Sequence, residues 1–287
     1  MRRQVNMTLT QNEISTGIGL HHVRVALRDT DGAVAVPAGT PHDEAYPGLQ
    51  ISGALRLNIA VPESQRVTAR GDDRAYYTFN LPPTEVPTGQ LGVSKTNIDV
   101  IALLTGTKNF GSGTTEKIAF ATDKQGEEPA IVLWGMQRGI DSQPGSTTFG
   151  QRIWRTYILL NALASVQPSS MEDATVGEFV YSLVANDATV DENGHTFTTT
   201  DEGFTAASFI MVVSLGKFML DAFEGDAVHR SFILSQTPRT AAIITVYEDG
   251  VQATVTTDYT VTAGVLTFVP GNVPANDAKI MVEYEYD

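Results

Sequence analysis

Apolar and polar residues alternate over short stretches of this chain, and turn residues separate the stretches. Within 21–28, Val23, Val25 and Leu27 take one parity and Arg24 and Arg28 the other. From 49 to 61, Leu49, Ile51, Gly53, Leu55, Leu57, Ile59 and Val61 share one parity, against Gln50, Ser52, Arg56 and Asn58. A period of two marks a half-buried strand, so each run is read as one strand. Residues 75–81, 117–122, 130–137, 153–166, 175–185 and 204–220 are further strand candidates.

Two long polar stretches interrupt the early strands. One is 30–47, with Gly32, Pro37, Gly39, Pro41 and Pro47; the other is 81–94, with Pro82, Pro83, Pro87, Gly89 and Gly92. Connections longer than about 12–15 residues are uncommon in compact domains and usually functional or disordered. A single helix is expected near 97–105. Thr96 fits the N-cap and Asp99 its capping-box partner, Ile98, Ile101, Ala102 and Leu104 form an apolar stripe, and Gly106 suits the left-handed position after the last turn. Two turns cannot hold alone in water, so this helix must pack on a sheet.

Near residue 234 the composition shifts to very short strands: 242–247, 251–255, 259–261, 265–269 and 279–286. Glu248-Asp249-Gly250 and Thr262-Ala263-Gly264 supply hairpin turns between them. The pattern therefore divides the chain into an N-terminal arm (1–20), a β body (21–233) and a small β-domain (234–287).

Composition narrows the function. The chain has 287 residues, 19 Lys and Arg against 33 Asp and Glu, a net charge of −14 and no cysteine. Without cysteine there is no disulfide scaffold, no thiol chemistry and no Cys-based metal cluster. Sequence-independent binding to nucleic acid needs a surplus of cations that this chain does not have. Arg2 and Arg3 precede a polar stretch, not an apolar signal core, and the most apolar window, 206–220, is broken by Ser208, Ser214 and Lys217. The expectation is a soluble protein made in a cytoplasm, with no membrane partner.

No catalytic constellation emerges. Gly106-Thr107-Lys108 has no preceding glycine at P-loop spacing, and neither G-x-S-x-G nor H-E-x-x-H occurs. His21 and His22 are neighbours in a strand and so diverge; His42 and His195 read as solvated loop residues, with a His/carboxylate metal site the alternative; His229 reads as a domain-edge residue. The pairs Asp72-Asp73, Glu127-Glu128, Glu172-Asp173, Asp191-Glu192 and Asp201-Glu202 read as water-facing loop carboxylates. Arg70-Gly71-Asp72 is too short a match to integrin ligands to carry weight. Trp134 and Trp154 read as core, with a sugar-stacking platform as the competing use. The expected catalytic, cofactor and metal residues are therefore none.

Several stretches together resemble the major tail tube proteins of long-tailed bacteriophages: Ile131-Val132-Leu133-Trp134-Gly135-Met136, the run from Gln151-Arg152-Ile153-Trp154 through Leu160-Asn161-Ala162, and Glu178-Phe179-Val180-Tyr181-Ser182-Leu183-Val184-Ala185. Val246-Tyr247-Glu248-Asp249-Gly250-Val251, Asp258-Tyr259-Thr260-Val261 and Gly264-Val265-Leu266-Thr267-Phe268 resemble the immunoglobulin-like modules found on virion proteins. The resemblance implies a mainly β fold: a β-sandwich or split-barrel body with a flanking helix, and a small C-terminal immunoglobulin-like domain projecting outward. It implies a structural, non-enzymatic virion subunit, assembled in the host bacterial cytoplasm into stacked hexameric rings. Tail completion and tail-tip proteins would be its partners, and DNA would pass the lumen without specific binding. The arm 1–20 and the loops 30–47 and 66–95 would bridge subunits, and part of the negative charge would face the channel and repel DNA. The alternatives are another tail or capsid-decorating protein, a carbohydrate-binding β-sandwich adhesin using Trp134 or Trp154, and, last, a hydrolase using loop carboxylates.

Overall fold

A computed structural model describes residues 19–71, 74–81, 83, 85–95, 97–107, 109–110, 117–118, 128–142, 145, 147–167, 178–200, 202–240 and 244–287. The fold is mainly β, with several antiparallel sheets and, among the described residues, one helix. The arm 1–20 lies almost wholly outside the described residues. No described helix is long and apolar enough to cross a membrane.

The body is built on one antiparallel sheet. Its order is β2 (Leu49–Gln50), β1 (Leu20–Leu27), β9 (Ile131–Ile140), β10 (Arg152–Gln167), β11 (Phe179–Ala185), β6 (Thr88–Val93) and β3 (Ala54–Ala60). The end strands β2 and β3 are separated in sequence only by Ile51, Ser52 and Gly53. A connection that short forces the sheet to curl until its two ends come together, and β3 does lie against β1. The result is a split barrel, hydrogen-bonded everywhere except along the β1–β3 closure.

That geometry corrects two expectations. The 49–61 run is not one strand. It breaks at Gly53, whose φ of +78° only glycine adopts without strain, and the two halves pair with opposite ends of the sheet. The unbroken alternation hides the break because Gly53 keeps parity. The 81–94 stretch is not all loop, for it contains β6, an internal strand between β3 and β11 with Leu91 fully buried. Gly89 suits that strand because a Cβ there would sit 2.7 Å from the Asn58 carbonyl oxygen. Glycine signals close strand approach here, not a turn.

The helix α1 (Ile98–Thr105) closes one side of the barrel. Its N-cap is Asn97, whose side chain accepts the Asp99 N–H at 2.9 Å, and Thr96, expected in that role, lies outside the described residues. Gly106 ends the helix at φ 68°, as its position predicts. The buried face is Val100, Ile101 and Leu104, so Val100 replaces the expected Ile98 and Ala102, which are half-exposed. These side chains meet Val23, Val25, Leu91, Ile131, Leu133, Leu159 and Leu183 in the first core. Each such residue contributes about 1.5–3 kcal/mol by leaving water. A register shift in β10 between Leu159 and Ala162 swaps its parity, so Leu159 and then Ala162 and Ala164 all face this core.

The 204–220 run is also two strands. β12 (Phe209–Ser214) pairs with β10, and β13 (Lys217–Glu224) pairs with β19 (Lys279–Tyr286). Gly216 makes the crossing, at a point where a Cβ would meet the Tyr286 carbonyl oxygen at 2.7 Å. β13 and β19 continue into β15 (Ile244–Glu248) and β16 (Val251–Gln252), and β14 (Ser231–Ile233), β18 (Val265–Phe268) and β17 (Tyr259–Thr262) form the facing sheet. Strand pairing thus draws the seam at Gly216, whereas composition suggests 234. β13 and β14 carry the same apolar alternation as the body, so composition does not distinguish them. Both expected hairpin turns have consecutive positive φ, at Asp249-Gly250 (48°, 76°) and Ala263-Gly264 (50°, 79°).

The β13–β19–β15 sheet is buried on both faces. Met219, Phe223, Ile280, Val282 and Tyr284 pack with Phe232, Leu266 and Phe268 of the outer sheet. The opposite parity, Phe218, Leu220, Ala222 and Met281, packs against Ala26, Val132, Trp134, Ile158 and Leu160 of the body. The carboxy-terminal strands therefore share a core with the body and form layers of one stack; they do not project from it.

Candidate assembly interface

The segment expected to bridge neighbouring subunits, 66–95, holds a feature that stands apart from the rest of the sheet system. β4 (Gln65–Gly71) and β5 (Arg74–Leu81) pair with each other and with no other described strand. Their register sets Val67 opposite Phe79 and Ala69 opposite Tyr77, while Thr68 faces Thr78 and Arg66 faces Asn80. Apolar partners and polar partners thus alternate along the ladder. A lone two-stranded hairpin is marginal in water, and its outer edges carry unpaired backbone groups that can template another strand. Arg70 and Gly71 end β4, and Asp72 of the Arg-Gly-Asp match lies outside the described residues. A second short pair, β7 (Asn109–Phe110) with β8 (Lys117–Ile118), follows the helix, and the rest of the expected 117–122 strand is outside the described residues.

Two further edges belong to the body. β12 bonds only to β10 among the described strands and exposes Met211 (50%) and Val213 (43%). β3 exposes Leu55 beside a cleft of about 450 Å3 lined by Leu20, Leu57, Ile59, Gly135 and Tyr157. This cleft is the unbonded closure of the split barrel. Leu57 reaches across it onto Gly135, where any Cβ would overlap its Cδ2.

The other loop expected to bridge subunits, 30–47, lies against its own chain at several points. Tyr46 exchanges backbone hydrogen bonds with Ala222, Glu44 bridges to Ile233, and the Lys279 ammonium pairs with Asp29 and, at 2.9 Å, with Asp31. The loop is therefore part of the seam between the body and the carboxy-terminal strands.

That seam also gathers polar side chains that sequence reading leaves apart. Asp191 and Glu192, expected to face water, are buried. Asp191 Oδ1 accepts the backbone N–H groups of Asn193 and His195, both at 2.9 Å, which folds the loop back on itself. Asn193 donates to Glu283 Oε1 on β19. Burial pushes all three carboxyls up: Asp191 above its usual range, Glu192 well above it with added repulsion from Glu283 and Asp191, and Glu283 to about 7. Tyr247 is pushed up by the same burial and the same negative neighbours. His195 lies 3.9 Å from both Asp191 Oδ2 and Glu202 Oε1, so carboxylates flank this loop histidine. The signal that could have found the cluster is Asp191-Glu192-Asn193-Gly194, a turn sequence with more acceptors than a solvated turn requires.

The remaining histidines divide in two. His21 and His22 stay side by side on β1, their rings 4.5 Å apart, and His22 meets Gln50 at 3.2 Å. His42 and His229, far apart in sequence, stack at 3.9 Å between ring centroids with Asp226 beside them. Trp134 and Trp154 are 4% and 8% exposed, core residues as expected, and neither offers an open ring face to a sugar. A second buried polar group, Asp221, accepts from Ser235 N at 2.7 Å, Ser235 Oγ at 2.6 Å and Tyr284 Oη at 2.7 Å; it is a structural knot inside the carboxy-terminal sandwich. No family model matches the chain, and no curated protein matches it.

Proposed function

We propose that this chain is a structural subunit of a bacteriophage tail tube, working by contact among many copies. The observation that carries the reading is the β4–β5 hairpin, which bonds to no other described strand of its own chain. A free hairpin gains stability when its edges or its apolar residues meet a neighbour. The exposed apolar residues of β12 and β3 add surfaces suited to the same purpose. In a stack of rings, the split barrels would form the tube wall and the hairpin would reach the next ring.

The net charge of −14 fits a channel that must not hold DNA. Duplex DNA carries one charge per about 1.7 Å of axis, so a basic wall would retain it through summed phosphate contacts. An acidic wall repels it over about 8 Å at physiological salt, enough to keep it from the surface. Acidity also keeps the subunit soluble before assembly.

The test is electron microscopy of the purified protein at rising concentration, beside a variant in which 66–80 is replaced by a short Gly/Ser turn. The wild type is expected to form rings and tubes, and the variant to keep its melting temperature and lose stacking. A wild type that stays monomeric at every concentration refutes subunit assembly. Tubes built equally well without the hairpin refute its role. Ring diameter and an open lumen separate a tube from a distal-tail or capsid-decorating ring.

A further inference from the structure

We infer that His42, Asp226 and His229 form a binding site for a divalent transition-metal ion of the zinc type, which clips the 30–47 loop to the carboxy-terminal strands. The inference is independent of the tail-tube reading. One ligand atom from each residue lies within 4.8 Å of the other two. His229 Nδ1 is 2.5 Å and His42 Nε2 is 3.7 Å from the same carboxylate oxygen, Asp226 Oδ2. Ligands at the usual zinc bond lengths of about 2.0–2.2 Å sit roughly 3.3 Å apart in a tetrahedron. The two imidazole–carboxylate spacings bracket that value, and the ligand nitrogens of the two imidazoles lie within 4.8 Å of each other.

The surroundings prepare these residues for a cation. Asp226 Oδ1 accepts the backbone N–H groups of Val228 and His229, at 2.9 and 2.8 Å, which fixes the carboxylate and aims Oδ2 at the imidazoles. The His229 backbone N–H first, and its imidazole next, hold the carboxyl of Asp226 far below the usual carboxylate range, which keeps an anionic oxygen on offer to a cation. Anchoring a ligating carboxylate in this way is how supporting hydrogen bonds tune metal sites. His42 Nε2 is shut off from solvent and has no hydrogen-bond partner among the described residues. A buried, unpaired imidazole nitrogen is costly, and coordination removes that cost.

The donor set selects the ion. Two imidazoles and one carboxylate suit zinc, cobalt, nickel or copper, whereas calcium and magnesium require mostly oxygen ligands. Three protein ligands leave a fourth position for water, on the side where His229 is 50% exposed. His42 comes from the body loop, and Asp226 and His229 from the connection between β13 and β14, so a bound ion would join two segments about 185 positions apart.

The test uses untagged full-length protein stripped with a chelator. Zinc is titrated by calorimetry, and cobalt by its visible d–d bands. The expected result is about one ion per chain, four- or five-coordinate cobalt bands and a higher melting temperature with zinc. His42→Ala and His229→Ala should each weaken binding by tenfold or more, while His21→Ala should leave it unchanged. Melting of the metal-free variants shows that each is folded; Asp226→Asn keeps the Oδ1 contacts while removing the charge, and should also weaken binding. Absence of zinc and cobalt binding in the folded wild type overturns the inference. So does binding that persists in the His42→Ala/His229→Ala double variant.

Discussion

Replacing Glu283 by Gln should make this protein more stable at neutral and alkaline pH. Glu283 sits on β19 against Asn193, with Glu192, Asp191 and Tyr247 as its charged or titratable neighbours and His195 at the edge of the group. Burial raises its carboxyl from 4.5 to about 7. In the unfolded chain it titrates near its ordinary value, so between those two pH values the folded protein binds the extra proton. Stability from this group is therefore fully present below about pH 4.5 and is lost as pH rises through about 7. At about 1.4 kcal/mol per pH unit, the rise corresponds to a loss of about 3 kcal/mol.

Gln has the same shape, accepts from Asn193 through its carbonyl oxygen and never ionises. The assay is urea unfolding of wild type and Glu283→Gln across pH 4.5 to 8, read as the difference in unfolding free energy, which cancels every other titrating group to first order. Removing the Glu283 charge also relieves Glu192, whose own rise rests partly on that charge. The variant should match or fall slightly below the wild type at pH 4.5 and exceed it by roughly 2–3 kcal/mol at pH 8. A difference that is flat with pH, or that grows in favour of the wild type as pH rises, would refute the reasoning.

Other perturbations test other parts of the stack. Asp221→Ala leaves the Ser235 N–H without its acceptor and removes the carboxylate to which the Ser235 and Tyr284 hydroxyls donate, and should cost about 1–3 kcal/mol; an unfolding midpoint equal to the wild type's would contradict this. Gly135→Ala forces Leu57 off the barrel closure and should destabilise by about 1–3 kcal/mol. Adding Leu57→Ala should restore part of that loss, and a double-mutant cycle with no coupling would show that the two do not meet.

The architecture is legible where apolar runs are punctuated by turns. β1 follows from period-two alternation, β9 and β10 from apolar runs that are buried on both faces, and the carboxy-terminal hairpins from Asp-Gly and Ala-Gly turns. The failures share a cause: glycine carries two meanings that sequence does not separate. Gly53 breaks an alternating run that looks continuous, Gly216 divides an apolar run between two sheets, and Gly89 sits inside a strand in a stretch that looks like loop. The polar clusters were hidden for another reason. Asp191 and Glu192 meet Glu283 about 90 positions away, and His42 meets His229 across a greater distance. Local pattern carries no trace of either meeting, because both depend on the 30–47 and 186–207 segments lying against strands that come much later.

The position of β19 has a consequence for biosynthesis. It is hydrogen-bonded on both sides, to β13 and to β15, and its side chains enter two cores at once. During translation β13 emerges 62 residues earlier and must hold an apolar ladder in readiness, unpaired on the side β19 will occupy. The ribosome has to deliver residues 279–286 before the central sheet can exist. A nascent chain interrupted after β13 and before β19 would therefore be sticky along that vacant groove, and a prime client for holding chaperones.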